Sequence, residues 1–347
     1  MTHSRASAKV AGDVTTLITG GTGLIGACLA EKLLALGEQV ALFDLVPAEW
    51  RLGPLRQAAG ARLRVIRGDV TSLVELLDAA RDTGAGAVVH LAYVLGAESN
   101  ASPELAGRVN ILGTTNVLEA ARLTGARRVL LASSIAVYGS DSDYPPAALP
   151  LREDAARHVA QGVSLYGAGK VYLEHLGALY AHRYGLVVGG LRPSIVYGWG
   201  RQSGASVFAG ELVDRAAVGE PVRVGFGDAR VSLVYVDDVA EQFLALLKAD
   251  AAVLARRRFF NTGGDTCTIR ELAAAVRRLL PKAVIEVTAA GERDVAGLAA
   301  SVSDRSLEEE VGVRRRFTPL EVGVQAHINA ARARAGRAAI EPTRTSW

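Results

Sequence analysis

The stretch Thr15-Thr16-Leu17-Ile18-Thr19-Gly20-Gly21-Thr22-Gly23-Leu24-Ile25-Gly26 decides the fold. Residues 15–19 form a short β-branched and apolar run that reads as a buried strand. A glycine-rich turn follows, and an apolar-periodic segment from Gly26 onward reads as a helix. Glycines at such a junction allow a tight turn, a close approach of backbone to a bound pyrophosphate, and tight packing of helix on strand. The helix N-terminus then offers its free N–H groups and positive dipole end to the phosphates. A glycine pattern alone is weak. Here it has the required strand–turn–helix context, and an acidic residue, Asp44, closes the next apolar run. Gly20, Gly23, Leu24, Ile25 and Gly26 are therefore expected to cradle a dinucleotide. A carboxylate at Asp44 can accept from both adenosine ribose hydroxyls and would repel a 2′-phosphate, which favours NAD over NADP. Arg51 and Arg56 follow closely enough to reach back towards that position.

Outward from this loop, apolar runs at 39–43, 63–67, 87–91, 128–133 and 186–191 alternate with helical stretches at 26–36, 72–83, 103–124 and 164–184. Strand–helix alternation at this spacing predicts an α/β fold, a doubly wound parallel sheet with helices on both faces. After Arg192 the rhythm changes. Gly and Pro become frequent, helices are expected near 206–218, 238–248 and 269–280, and a strand at 284–287. Residues 1–191, with a strand near 259–262 returning to the main sheet, form the expected cofactor domain. Residues 192–347 form most of a smaller C-terminal α/β substrate-binding domain.

Composition narrows the function. Half of the 347 residues are hydrophobic and 22% are charged, which suits a large buried core and excludes wholesale disorder. No apolar run reaches the roughly 18 residues of a membrane span. Residues 1–13 lack the apolar segment of a signal peptide and read as a loose tail. Two cysteines, Cys28 and Cys267, cannot build a disulfide framework or a thiolate metal site, which suits a reducing cytoplasm. The net charge of +3 rests on short, scattered arginine clusters, 256–258 and 314–316 among them, without interleaved aromatics, so no nucleic-acid partner is expected.

The chemistry is carried by Tyr166-Gly167-Ala168-Gly169-Lys170 and by Ser133-Ser134-Ile135-Ala136. A phenol and an ammonium four residues apart share one helix face. A Tyr hydroxyl titrates near 10, so it needs a neighbouring cation to serve as a base at neutral pH. Ser134, at the end of the fifth strand, can hydrogen-bond the reacting oxygen while Tyr166 takes the proton. Ser133 reads as a strand-end hydroxyl capping backbone. Asn110, on the long helix before that strand, either orders a water or carbonyl behind Lys170 or has a purely structural role. Asp69, in Gly68-Asp69-Val70, either meets the adenine amino group or caps a helix. In His90-Leu91-Ala92 the backbone of Leu91 and Ala92 is expected to pass the pyrophosphate and nicotinamide ribose, and His90 reads as a packed, hydrogen-bonded histidine.

These motifs, with Leu191-Arg192-Pro193, the segment 234–240 and Phe259-Phe260-Asn261-Thr262-Gly263, resemble those of the extended short-chain dehydrogenase/reductases, the NAD-dependent epimerase/dehydratase family, over nearly the whole chain. The resemblance implies a Rossmann domain, bound NAD touched by Val70 and Pro193 besides the residues above, and a homodimer through the two long helices. It also implies that Lys170 holds the nicotinamide ribose as well as tuning Tyr166. The pattern breaks where substrates are chosen. Dehydratases of the family carry Thr-Asp-Glu where this chain has Ser134-Ile135-Ala136, so elimination of water is not expected. Nucleotide-sugar epimerases usually carry an Asn where Ile195 stands, and an Arg where Val231 stands. Arg230 is one residue off, and Arg293 is a candidate phosphate partner. Stretches 90–97 and 133–137 are similar to threonine-dehydrogenase-like and sugar-acid dehydrogenase branches. The favoured reading is an NAD-dependent oxidoreductase moving a hydride at a secondary alcohol of a small sugar, sugar acid or hydroxy acid. The alternative is a nucleotide-sugar epimerase with tightly bound NAD. A third reading, a non-catalytic NAD sensor, is disfavoured because Tyr166 and Lys170 are both present.

Overall fold

The computed structural model describes residues 14–157, 165–201, 204, 207–289, 298–313 and 318–341. The expected tail at 1–13, Ser164 and Ser206 at two expected helix starts, Arg293, and the arginine run 314–316 lie outside the described residues. The strands are β1 (Thr15–Thr19), β2 (Val40–Asp44), β3 (Leu63–Arg67), β4 (Ala85–His90), β5 (Arg128–Ala132), β6 (Val187–Arg192), β7 (Ile195–Tyr197), β8 (Val222–Val224), β9 (Arg230–Tyr235), β10 (Phe259–Asn261), β11 (Asp265–Thr268) and β12 (Ile285–Val287). The helices are α1 (Leu24–Ala35), α2 (Glu49–Ala59), α3 (Leu73–Thr83), α4 (Gly96–Ala101), α5 (Pro103–Ala106), α6 (Gly113–Thr124), α7 (Leu165–Tyr184), α8 (Val207–Ala217), α9 (Val236–Lys248), α10 (Ala251–Arg256), α11 (Ile269–Leu279) and α12 (Leu320–Arg334).

Seven strands form one sheet in the order β10-β6-β5-β4-β1-β2-β3, every pairing parallel. The predicted doubly wound sheet is thus observed, and the Phe259–Asn261 strand returns to it beside β6. The winding reverses between β1 and β4, which opens a crevice outside their carboxyl ends, the general ligand position of this architecture. Both faces are covered, so the strands read as apolar runs without alternation. Leu17, Ala41, Val88 and Val129, paired in register, point to the face covered by α3, α6 and α7. Ile18, Leu42, Val89 and Leu130 point to the face covered by α1, α2 and α9. Leu29, Leu33 and Phe243 are fully buried there, each stabilising the fold by about 1.5–3 kcal/mol.

Beyond β6 the chain builds a three-stranded sheet, β11-β9-β7, and a parallel pair, β12-β8, around a separate core with α8, α11 and α12. Helix α5 runs through a π-helical turn at Gly107–Leu112 into α6, so the predicted helix at 103–124 is one rod with an inserted bulge carrying Asn110. Such bulges recur at functional sites. Among the described residues no helix is long and apolar enough to cross a membrane.

Candidate active site

A cleft of about 1750 Å³ follows the carboxyl edge of the sheet. Asp44 and Asp69 line one end, the glycine loop and Leu91-Ala92 the middle, then Ser134, Tyr166, Lys170 and Pro193, and finally Val222–Val224 and Phe226 at the far end. Gly20 has φ +64°, and a Cβ there would stand 2.8 Å from the Ala92 amide nitrogen. A Cβ on Gly26 would stand 2.7 Å from the carbonyl oxygens of Gly20 and Gly21, so helix and turn touch only because it is absent. Gly23 is the N-cap of α1 and provides no side-chain cap, which leaves the first-turn N–H groups at Leu24 and Ile25 to face the cleft. These features fit a dinucleotide pyrophosphate.

At the ribose end, Asp44 Oδ2 accepts from the Thr22 amide at 3.0 Å and the Thr22 hydroxyl at 2.6 Å. Its Oδ1 has no partner among the described residues and can meet the ribose hydroxyls. The two arginines that follow Asp44 in sequence, candidates for a 2′-phosphate, are otherwise held. Arg56 pairs with Glu49 at 2.7 Å. Arg51 donates to the Gly200 carbonyl and lies 4.2 Å from the Trp50 ring, which packs edge-on against Trp199. Burial pushes Arg51 down to about 10. Asp69 does not cap α3; Ser72 does, accepting from the Glu75 amide. Asp69 Oδ1 instead accepts from the Thr71 amide at 2.8 Å, holding the carboxylate at the cleft wall beside Val70.

At the other end of the cofactor path, Ser134 Oγ accepts from the Ala136 amide at 3.1 Å, and the Tyr166 phenol lies beside the Ser134 hydroxyl. Burial raises the Tyr166 phenol above its ordinary value, and the Ser134 hydrogen bond and the charge of Arg201 hold it back. Lys170, the cation expected to tune this phenol, stands close to it as well. Lys170 Nζ donates to the Ala132 carbonyl at 2.6 Å and sits 3.2 Å from the centroid of the Tyr93 ring, against 5.3 Å for the Tyr166 ring. Burial pushes the Lys170 ammonium well below its usual range, opposed by Glu174. Carbonyl and aromatic face thus hold the Lys170 amine under the site, and Arg201, unmarked in the sequence, adds a positive charge that lowers the Tyr166 phenol.

Two further expectations shift. Ser133 caps no backbone; its hydroxyl donates to Glu174 Oε1 at 2.6 Å. Glu174 is clasped by Arg192 through Nε at 2.7 Å and Nη2 at 2.8 Å, both side chains only 2% exposed. This pair ties α7, which carries Tyr166 and Lys170, to the ends of β5 and β6. Asn110 accepts from the Val94 amide at 2.7 Å and donates to the Val94 carbonyl at 3.0 Å. It thereby orders the Val94 backbone and positions the loop after β4, the structural one of the two roles expected of it. His90 is packed as expected. The Thr114 hydroxyl donates to the Asn110 carbonyl, so it accepts from His90 Nε2, and Nδ1 accepts from the Thr19 hydroxyl at 2.7 Å. Burial holds this neutral imidazole down to about 3.

The substrate end matches the sequence departures. Ile135 and Ala136 are buried, and Ile195 lines the cleft with 4% exposure. Val231 is buried within β9, while Arg230 is exposed and does not line the cleft. Arg215 and Arg223 line its far end, paired with Glu220 and Glu286. Phe226 also lines it with φ +46°, the one non-glycine in the left-handed region among the described residues, its ring edge-on to Phe208. Strain of this kind collects at ligand sites.

Fold and site together define an NAD-dependent oxidoreductase of the extended short-chain dehydrogenase/reductase class. The NAD dependent epimerase/dehydratase family matches residues 16–263, and the chain belongs to that family. UDP-glucose 4-epimerase of Mycolicibacterium smegmatis is 31% identical over 271 residues, 75% of this chain and 81% of that protein. D-erythronate dehydrogenase of Cupriavidus necator is 31% identical over 301 residues, 79% of this chain and 84% of that protein. Among solved structures, the Thermus thermophilus UDP-glucose 4-epimerase complex with NAD is 27% identical, covers 92% of this chain and 99% of its own, and gives a TM-score of 0.77.

Proposed function

We propose that this protein is a dehydrogenase that oxidises a secondary alcohol of a small polar substrate, a sugar, sugar acid or hydroxy acid, with exchangeable NAD. The observation that carries this reading is the convergence of Ser134, Tyr166 and the buried Lys170 on one stretch of the cleft, beside Leu91-Ala92 and Pro193. Gly20, Gly23, Leu24, Ile25 and Gly26 hold the pyrophosphate; Asp44, Asp69 and Val70 the adenosine; Leu91, Ala92, Pro193 and Lys170 the nicotinamide riboside. NAD held there would supply the acceptor for the hydride of the carbinol carbon. Ser134, whose oxygen already accepts from the Ala136 amide, turns its proton towards Tyr166 or the substrate oxygen and favours the phenolate. Tyr166 takes the hydroxyl proton. Residues 1–191 with β10 serve the cofactor, and residues from 192 onward shape the substrate pocket.

A nucleotide-sugar epimerase is the second reading, favoured by Arg215 and Arg223 at the far end of the cleft and by relatives of that activity. Apolar Ile195 and Val231, together with the D-erythronate dehydrogenase relative, favour the first. We further propose a cytoplasmic homodimer. Leu112 and Leu123 on the helical rod and Tyr172, Leu179 and Tyr184 on α7 are exposed apolar residues on the two long helices. The experiment is NADH formation from added NAD across sugars, sugar acids and hydroxy acids, with Tyr166→Phe alongside. Free NADH that Tyr166→Phe abolishes supports the dehydrogenase. Inversion of a UDP-sugar without NADH overturns it.

A further inference from the structure

Arg201 has an unusual environment. It follows Gly200, whose carbonyl Arg51 holds, so the Trp50–Arg51–Trp199 cluster fixes the loop that carries it. Its Nη1 donates to the Val196 carbonyl at 2.6 Å. Its Nε is buried without a hydrogen-bond partner, and no carboxylate pairs with it among the described residues. Gly204, which also lines the cleft, has φ +101°, and a Cβ there would stand 3.0 Å from Arg201 Nη2. Arg201 and Tyr166 both line the cleft and lie close enough for each to feel the other's charge. A buried guanidinium N–H without an acceptor is destabilising, and a carboxylate satisfies Nε and Nη2 together in the two-pronged geometry that guanidinium favours.

We propose that Arg201 is the anion partner of the substrate, taking a carboxylate borne beside the carbinol that Ser134 and Tyr166 engage. The preferred substrates are then hydroxy acids such as aldonates, in preference to neutral polyols. This rests on the assignment of Tyr166 as the base. The negative charge of the substrate compensates a cation that no carboxylate among the described residues pairs with, so the acid binds where the alcohol of the same skeleton leaves the guanidinium uncompensated.

The test compares short aldonates with alditols of the same chain length, D-erythronate against erythritol among them, by NADH formation with wild type, Arg201→Gln and Arg201→Lys. Wild type is expected to favour the acid in kcat/KM. Arg201→Gln should lose roughly 10- to 100-fold on the acid, mainly through KM, and little on the alditol. Arg201→Lys should restore part of the preference, and the alkaline rise of kcat in Arg201→Gln should move to higher pH. A preference that survives Arg201→Gln, or an equal loss on acid and alditol, overturns the proposal while leaving the dehydrogenase standing. If only UDP-sugars are inverted, the dehydrogenase reading falls, and the same ratio between UDP-glucuronate and UDP-glucose decides the role of Arg201. Calorimetric titration of D-erythronate into NADH-saturated protein, where the alcohol has no hydride acceptor, reads the contact without turnover. Binding that Arg201→Gln abolishes supports it, and equal or absent binding in both overturns it.

Discussion

Replacing Glu174 by Gln removes one charge from a pair that water does not reach. Arg192 would keep its guanidinium at 2% exposure with the facing carboxylate gone. Glu174 accepts from Arg192 at 2.7 and 2.8 Å, from Ser133 at 2.6 Å and from Arg157 at 3.0 Å. A glutamine keeps one acceptor oxygen and turns an NH₂ against a guanidinium donor. Breaking a buried pair from one side costs about 3–5 kcal/mol. Total stabilities of about 5–15 kcal/mol make that a large share. The assay is urea unfolding of wild type, Glu174→Gln and the double variant Glu174→Leu/Arg192→Met. The double variant should be the more stable of the two, because no charge is stranded. It should still fall short of wild type, since the Glu153 carbonyl and Tyr138 hydroxyl lose their Arg192 donor. It should also lose turnover, because Ser133, next to Ser134, loses its acceptor. A Glu174→Gln protein within about 1 kcal/mol of wild type would refute this reasoning.

Three other outcomes are expected. NAD should bind at least tenfold better than NADP, about 1.4 kcal/mol, and Asp44→Ala should narrow the gap in calorimetric titration; equal affinities in wild type would count against the ribose assignment. His90 is neutral in the folded state, its folded value near 3 lying below the ordinary 6.5, so the unfolded chain binds the extra proton between those values. Its contribution is intact above pH 6.5 and is lost as pH falls towards 3, with a slope of about 1.4 kcal/mol per unit, and His90→Gln should show a shallower slope in unfolding measurements across that window. Leu123→Glu with Leu179→Glu should convert a dimer to monomer in analytical ultracentrifugation, whereas wild type sedimenting as a monomer would dismiss the dimer.

Local pattern made much of this legible. The glycine loop, the strand–helix alternation and even the returning strand β10 follow from runs a few residues long. Helix α2 was not legible, because Gly53-Pro54 in its middle reads as a break, yet the helix continues through Pro54. Strands β7, β8 and β11 give no sequence signal because they are three or four residues long beside Gly- or Pro-containing turns, and β9 because its buried run shows no alternation. The site was legible where one segment carried it, as with Tyr166 and Lys170 on one helix face. Glu174 meets Ser133 across 41 residues, and only its place in an apolar helix, with Arg192 in an apolar strand, hints at a buried pair. Arg201 had no such mark: Tyr166 lies in another element, and folding alone brings both to one cleft.

The central claim is hydride transfer from a carbinol to exchangeable NAD with Tyr166 as the base, and isotope transfer tests it most directly. A substrate deuterated at the carbinol carbon is turned over with unlabelled NAD, and the released NADH and the recovered substrate are both read by mass spectrometry. The account predicts one deuterium in each free NADH, with Tyr166→Phe reducing the rate by about 10²–10⁴ and leaving NAD affinity nearly unchanged. Deuterium retained in a substrate inverted at that carbon, with no labelled NADH in solution, would contradict it.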